Sequence, residues 1–218
     1  MYHTILHSLF NNNYITTYHN LSSESSGNDI RGHMNDFYTT YIENPNDTTK
    51  QLSKHLSDNI FCDDSTVREN SDGSEHHYYY GAYIRLNNSN PIPTLECPEG
   101  RYTVNGLPTS KGVQTYKYLE YPIGSLNGDE AAMAGAKYNT NNTSYYLYKN
   151  NIKTWLYSSH YEFWNDFTSY KEYMSIDNNG KLTYGDHYST FNVRPVVNLR
   201  AETLATGNGT DLDPYNVN

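Results

Sequence analysis

The stretch YSSHYEFWNDFTSY, residues 157–170, sets Tyr157, His160, Tyr161, Phe163, Trp164, Asn165, Asp166 and Tyr170 in one run. Rings that end in a polar tip give large contact area at small conformational cost, which is why binding surfaces favour Tyr and Trp. We read the stretch as a displayed loop between strands. The competing reading is that Phe163 and Trp164 plug the core beneath that loop. A second candidate is YGDHYSTF, residues 184–191, which places Tyr184, Asp186, His187 and Tyr188 just before the last strand.

Catalytic readings of the polar residues fail on spacing. Ser158, Ser159 and His160 are neighbours in the chain, but a triad is assembled by geometry that adjacency does not supply. The GxSxG pattern is absent. Asp129 and Glu130 are consecutive, so on a helix they point about 100° apart and cannot flank one bond; they suit the first turn of a helix dipole instead. The glycine turns NGD and GNGT lack the lysine or following helix of a phosphate loop. His3, His7, His19, His33, His76 and His77 do not put three ligands on one element and read as exposed loop histidines. The expectation is a chain with no enzymatic activity, no cofactor and no metal.

The elements that must position these residues follow from periodicity. NDIRGHMNDFYTTYI spaces Ile30, Met34, Phe37, Tyr38 and Tyr41 along one helical face, with Asn28 or Asp29 as the cap. KQLSKHLSDNIF repeats the spacing through Leu52, Leu56 and Ile60 and predicts a second helix. Residues 62–75 read as a polar surface loop, and HYYYGAYIRL as a strand. GDEAAMAGA predicts a short helix stopped at Gly135. NIKTWLYSS, KEYMSID, KLTYGD and NVRPVVNLR predict strands, with DNNGK as a hairpin turn. Pro195 limits ladder bonds and places the last long strand near a sheet edge. Beyond it, Gly207, Gly209 and the turn at Asp213 and Pro214 predict a tail that folds back, with Tyr215 and Val217 in a final short strand. Helices early and an antiparallel meander late define an α+β domain over residues 28–218. Residues 1–27 are a segment packed on that domain or a remnant of a longer chain.

At 218 residues the chain can bury a core without metal staples. Its 36% apolar content is modest, but 15% aromatics argue for a folded chain in which Tyr supplies much of the interior. The net charge of −9 excludes a nucleic-acid partner, because no basic stripe exists to displace counterions. It also disfavours an anionic membrane surface, and no segment is long enough for membrane insertion as a helix. Residues 1–20 lack the charged leader and apolar core of an export signal. Two readings remain: a cytosolic protein, or a chain that starts after its signal or within a longer protein. Cys62 and Cys97 allow one intrachain bridge, which in an oxidising compartment would contribute about 3 to 4 kcal/mol; two buried free thiols are the alternative.

The order of SDNIFCDDS, YGAYIRL, PTLECP, YPIGSLNGDEAAMAGAKYNTNNTSYYLY, KTWLYSS, MSIDNNGKL, NVRPVVNL and TGNGTDLDPY resembles an uncharacterised bacterial family of extracellular or surface-associated proteins with a C-type-lectin-like fold. The resemblance spans roughly residues 28 to 217. The fold is shared by formylglycine-generating enzymes and by the variable proteins of diversity-generating retroelements. It implies a scaffold whose irregular loops and late strands display a ligand-binding face, with Arg194 and Pro195 as framework at the foot of the final strand. No cysteine follows Trp155, so the paired catalytic thiols of the formylglycine-generating enzymes are missing and oxidase chemistry is disfavoured. The triplet at Trp164 to Asp166 is similar to the calcium-ligand triplet of animal C-type lectins, but a calcium site needs six to eight oxygens, and ENPND at 43–47 carries an extra residue. Residues 184–191 are rich in the Tyr, Asp, His and Ser that adenine-directed diversification makes from Asn codons; codon bias in an AT-rich genome gives the same enrichment. The functional expectation is an adhesin-like domain of a bacterial cell surface or virion, binding a protein or glycan on another cell or host surface. A hydrolase or oxidase on the same scaffold and a purely structural module are the alternatives.

Overall fold

Ile30, Met34 and Phe37 recur at steps of three and four, and all are buried in α1 (Ile30–Phe37). The computed structural model describes residues 3–5, 15–17, 30–43, 52–98, 101–103, 117–145, 147–148, 152–203, 205–208, 212–213 and 216–217. Two short strands, β1 (His3–Ile5) and β2 (Ile15–Thr17), precede α1. The helix continues into a π-helical turn (Tyr38–Glu43) that buries Tyr38 and Ile42 but leaves Tyr41 exposed. The capping residues expected at 28 and 29 lie outside the described residues, as do Asn44 to Asp47 of ENPND.

The second predicted helix is one 3-10 turn (Leu52–His55). Leu56 leaves it to bridge to Leu199, so a tertiary contact overrides the helical spacing. The predicted loop at 62–75 is also corrected. β3 (Phe61–Cys62) precedes β4 (Val67–Asp72), which forms a hairpin with β5 (Glu75–Tyr80) across Gly73, a residue in the left-handed region at φ +62°. Every residue of β4 is exposed, which gives a paired strand the composition of a loop.

The predicted strand HYYYGAYIRL divides at Gly81. Its first half belongs to β5, and its second is α2 (Gly81–Leu86). Ala82 and Leu86, four apart, face the core. Arg85 reaches the buried carboxylates Asp64, at 2.7 Å, and Asp129. Asp129 also lies in the first turn of the short helix that starts at Gly128, as expected, and the Arg85 pair is a further partner that the sequence did not show. A Cβ on Gly81 would fall 2.1 Å from Asp64, so glycine is what lets α2 approach it.

After β6 (Arg101–Thr103), β7 (Lys117–Tyr118) and β8 (Ile123–Gly124) comes α3 (Gly128–Met133). A reciprocal capping box between Asn127 and Glu130 starts it, and Gly135 at φ +118° follows its end. The remaining strands are β9 (Lys137–Tyr138), β10 (Thr154–Trp164), β11 (Ser169–Ile176), β12 (Lys181–Asp186), β13 (Thr190–Asn192), β14 (Val196–Asn198), β15 (Ala205–Thr206) and β16 (Asn216–Val217). The DNNGK hairpin forms as expected, with Gly180 at φ +71°. The tail folds back, Ala205 pairing Val217; Tyr215 lies outside the described residues.

The architecture is mixed α+β, with few helices among the described residues and a curled sheet. The main sheet runs β2, β13, β10, β11, β12, β9. The edge of β10 away from β11 is shared: Thr154 pairs β13, and residues 161–164 pair β5, which carries β4 beyond it. A second sheet has the order β1, β14, β8. The edge position expected for NVRPVVNLR is therefore corrected: β14 has a partner on each side, because Pro195 sits before it rather than in it. β1 and β2 come from the first 27 residues and extend the two sheets. Cys62 and Cys97 form a disulfide. No described helix is long and apolar enough to cross a membrane.

Candidate functional site

The run 157–170 is not a loop. Residues 154–164 form β10, and the connection to β11 begins only at Asn165. Tyr157 is fully buried, its hydroxyl 3.5 Å from the Met34 sulfur and its amide donating to the Leu126 carbonyl at 2.8 Å. It is a core residue, correcting its place among the ligand-binding candidates. His160 is also buried, at 5% exposure. Beyond it, the two-residue alternation of a strand sends Tyr161 and Phe163 to one face and Glu162 and Trp164 to the other.

On the first face a continuous group of rings forms. Tyr161 pairs Tyr79 across β5, their centroids 5.0 Å apart, and its hydroxyl lies 2.6 Å from His77 Nδ1. Phe163 stands opposite Tyr170 on β11 and 5.1 Å from the His77 ring. Tyr170 closes on Tyr161 at 5.5 Å. His160 is held between Tyr184 of β12, stacked at 4.2 Å, and Tyr83 of α2, edge-on at 4.3 Å. Its Nδ1 lies 2.8 Å from Glu172 Oε2, and its Nε2 lies 3.0 Å from the Tyr138 hydroxyl. Burial, with the Glu172 carboxylate nearby, raises the Tyr138, Tyr161 and Tyr170 phenols above their ordinary range. Both imidazole nitrogens are engaged, so His160 could act on a substrate only after releasing one of these partners. We call this the tyrosine face.

The opposite face is internally paired. Glu162 accepts from the Tyr80 hydroxyl at 2.8 Å and meets Lys171 Nζ at 2.9 Å. Trp164 stacks on His76 at 3.9 Å, and His76 Nδ1 lies 3.1 Å from Glu69. His76 and His77 are thus strand residues with side-chain partners, which corrects the reading of both as solvent-exposed loop histidines.

Two turns lie toward this end of the sheet. The Asn165 Oδ1 accepts from the amides of Phe167 at 3.0 Å and Thr168 at 2.9 Å. Its oxygen is spent on the turn rather than offered to a cation. Asp166 and Phe167 point outward, Phe167 at 95% exposure. The Asp186 Oδ1 accepts from the amides of Tyr188 and Ser189, and the His187 amide donates to the Lys171 carbonyl at 3.1 Å, which fastens this turn beside β11. Tyr188 is 76% exposed with its ring against His187. The two stretches separated in sequence thus lie toward one end of β10, β11 and β12. Among the described residues no three His, Cys, Asp or Glu side chains gather as metal ligands.

Sequence reasoning missed Tyr79, Tyr83, Tyr138 and Glu172. Glu172 was within reach, because KEYM alternates after Tyr170 and sets Tyr170 and Glu172 on one face. The other three arrive from β5, α2 and β9, and only the tertiary fold brings them in. Set against protein-family models, curated protein sequences and solved structures, the chain has no match.

Proposed function

We propose that the chain is a non-catalytic recognition domain of a bacterial surface or phage protein, C-type-lectin-like in fold, that binds a protein or glycan through the tyrosine face and the two turns at its end. The observation that carries this reading is the set of exposed rings on neighbouring strands and turns: Tyr170, Tyr184, Tyr188 and Phe167 each leave a large ring open at this end of the sheet. Tyrosine suits the role, since it offers a rigid ring and a hydrogen-bonding tip with few torsions to freeze. The rings are backed by a hydrogen-bonded sheet, so little ordering cost remains to be met on binding. The bridge between Cys62 and Cys97 fits an oxidising compartment, and hence a cell-surface or virion setting. Engagement of both His160 nitrogens, by Glu172 and Tyr138, favours recognition over chemistry at this site.

The test is capture of the wild-type chain on glycan and whole-cell arrays beside the triple variant Tyr170→Ala, Tyr184→Ala, Tyr188→Ala. The expected result is a loss of at least about tenfold in apparent affinity. The control is Ile92→Ala, an equally apolar exposed residue outside the sheet, which should leave capture unchanged. Equal capture by the triple variant would remove the recognition face from this end of the molecule.

A further inference from the structure

On the tyrosine face Glu172 stands opposite Asp186 in the β11 and β12 register, and opposite Tyr161 in the β10 and β11 register. Like charges directly across a strand pair repel. Elsewhere several carboxylates meet fixed cations. Asp64 and Asp129 share Arg85, Glu162 meets Lys171, and Asp177 lies near Lys181. Among the described residues neither Glu172 nor Asp186 has a lysine or arginine within 4.0 Å. Glu172 has the His160 imidazole instead, and Asp186 spends its Oδ1 on the backbone amides of its own turn. The described cation contact on a ring is Lys153 over Phe191; Tyr161, Tyr170 and Tyr184 pack on other rings and, among the described residues, carry no lysine or arginine over them.

We propose that the tyrosine face takes a protein segment presenting an arginine side chain, with the guanidinium seated between the Glu172 and Asp186 carboxylates and stacked on the neighbouring tyrosine rings. This rests on the recognition reading above and names its partner class. Charge complementarity selects a cationic occupant: two facing carboxylates on a chain of net charge −9 repel phosphate and anionic lipid, and a neutral sugar would leave both charges uncompensated. Arginine fits better than lysine because a planar fork of donors can serve two carboxylates at once while its flat face lies on a ring.

Calorimetric titration of the full chain at physiological salt tests this, with a short arginine-rich peptide and its citrulline counterpart as probes. Asp186→Asn keeps the oxygen that caps the turn and removes the charge; Glu172→Gln keeps an acceptor for His160. Each should weaken binding of the arginine peptide by about tenfold. Glu202→Gln, an exposed carboxylate outside the sheet, should weaken it by less than about twofold. The citrulline peptide should give no measurable heat. Equal weakening by all three variants would mean diffuse attraction to an acidic chain and would overturn the proposal, as would equal binding of both peptides. If the peptides fail while array capture still depends on Tyr170, Tyr184 and Tyr188, the arginine inference falls and the recognition reading stands. If neither peptide nor array gives a ligand-dependent signal, both fall.

Discussion

At one end of β10, Trp155, Leu156 and Tyr157 are sealed against α1, the 119–126 segment and Phe191; at the other, Tyr161 and Phe163 are half-buried and Trp164 is exposed. The same strand and the same residue type, Tyr157 and Tyr161, thus serve a core and a surface. What differs is the second layer. At the first end Tyr157 meets Met34 of α1 and Leu126, while residues 161–164 lie between β5 and β11 and their rings pack on one another. A tyrosine in this chain is therefore assigned by what packs over its strand, not by its type or its immediate neighbours.

The largest break in that comparison should come from Trp155→Ala. The indole is fully buried, stacks on Phe191 at 4.2 Å and contacts the place where a Cβ on Gly185 would sit. Its removal should cost about 3 to 5 kcal/mol, read as a lowered denaturant midpoint. A loss below about 1 kcal/mol would mean that the covered end is not the core described here.

Alkaline titration sharpens the comparison next. Tyr38, Tyr80, Tyr138, Tyr145, Tyr161, Tyr170 and Tyr173 are all raised above the ordinary value of 10.0, chiefly by burial, with Tyr145 pushed up to about 12. Above pH 10 the folded chain therefore holds protons that the unfolded chain has released. Stability is complete below that pH and falls as pH rises, through about 12 for Tyr145. Phenolate absorbance should lag behind that of the denatured chain and then rise together with loss of circular dichroism. Stepwise ionisation of every tyrosine with the fold intact would contradict the assigned burial. Tyr161 and Tyr170 belong to the shifted group, so even the open end is drier than a free strand.

The smallest effect should come from Phe167→Ser at the hairpin tip. With 95% of the residue exposed, stability should change by no more than about 0.5 kcal/mol in thermal unfolding. A larger loss would show that the tip supports the sheet.

The strands of the last third were legible because each carries its own signal. KEYMSID and KLTYGD alternate, and DNNGK supplies a glycine where the turn needs positive φ. The short helix of GDEAAMAGA was legible for the same local reason. YGAYIRL was not: its apolar spacing suits a strand and a helix equally, and the choice fell to Asp64 and Asp129, which Arg85 reaches only from a helix. The hairpin at 67–80 was hidden because β4 buries nothing. For the candidate site, all of the named residues but Tyr157 lie at one end of the sheet or its turns, but the sequence could not say that β10 continues through them, nor that alternation would split Tyr161 from Trp164. Whether a strand ends at Ser159 or runs on to Trp164 depends on β5 arriving from eighty residues away.

The paired turns at Asn165 and Asp186 have a consequence for variation. In each, a single side-chain oxygen ties down the local main chain, so no hydrogen bond of the turn depends on the side chain at position 167 or 188. Such tips behave like interchangeable bits in a fixed chuck: new side chains can be mounted there while the handle keeps its form, and a lineage under pressure to change what it grips can do so without first repairing its own folding.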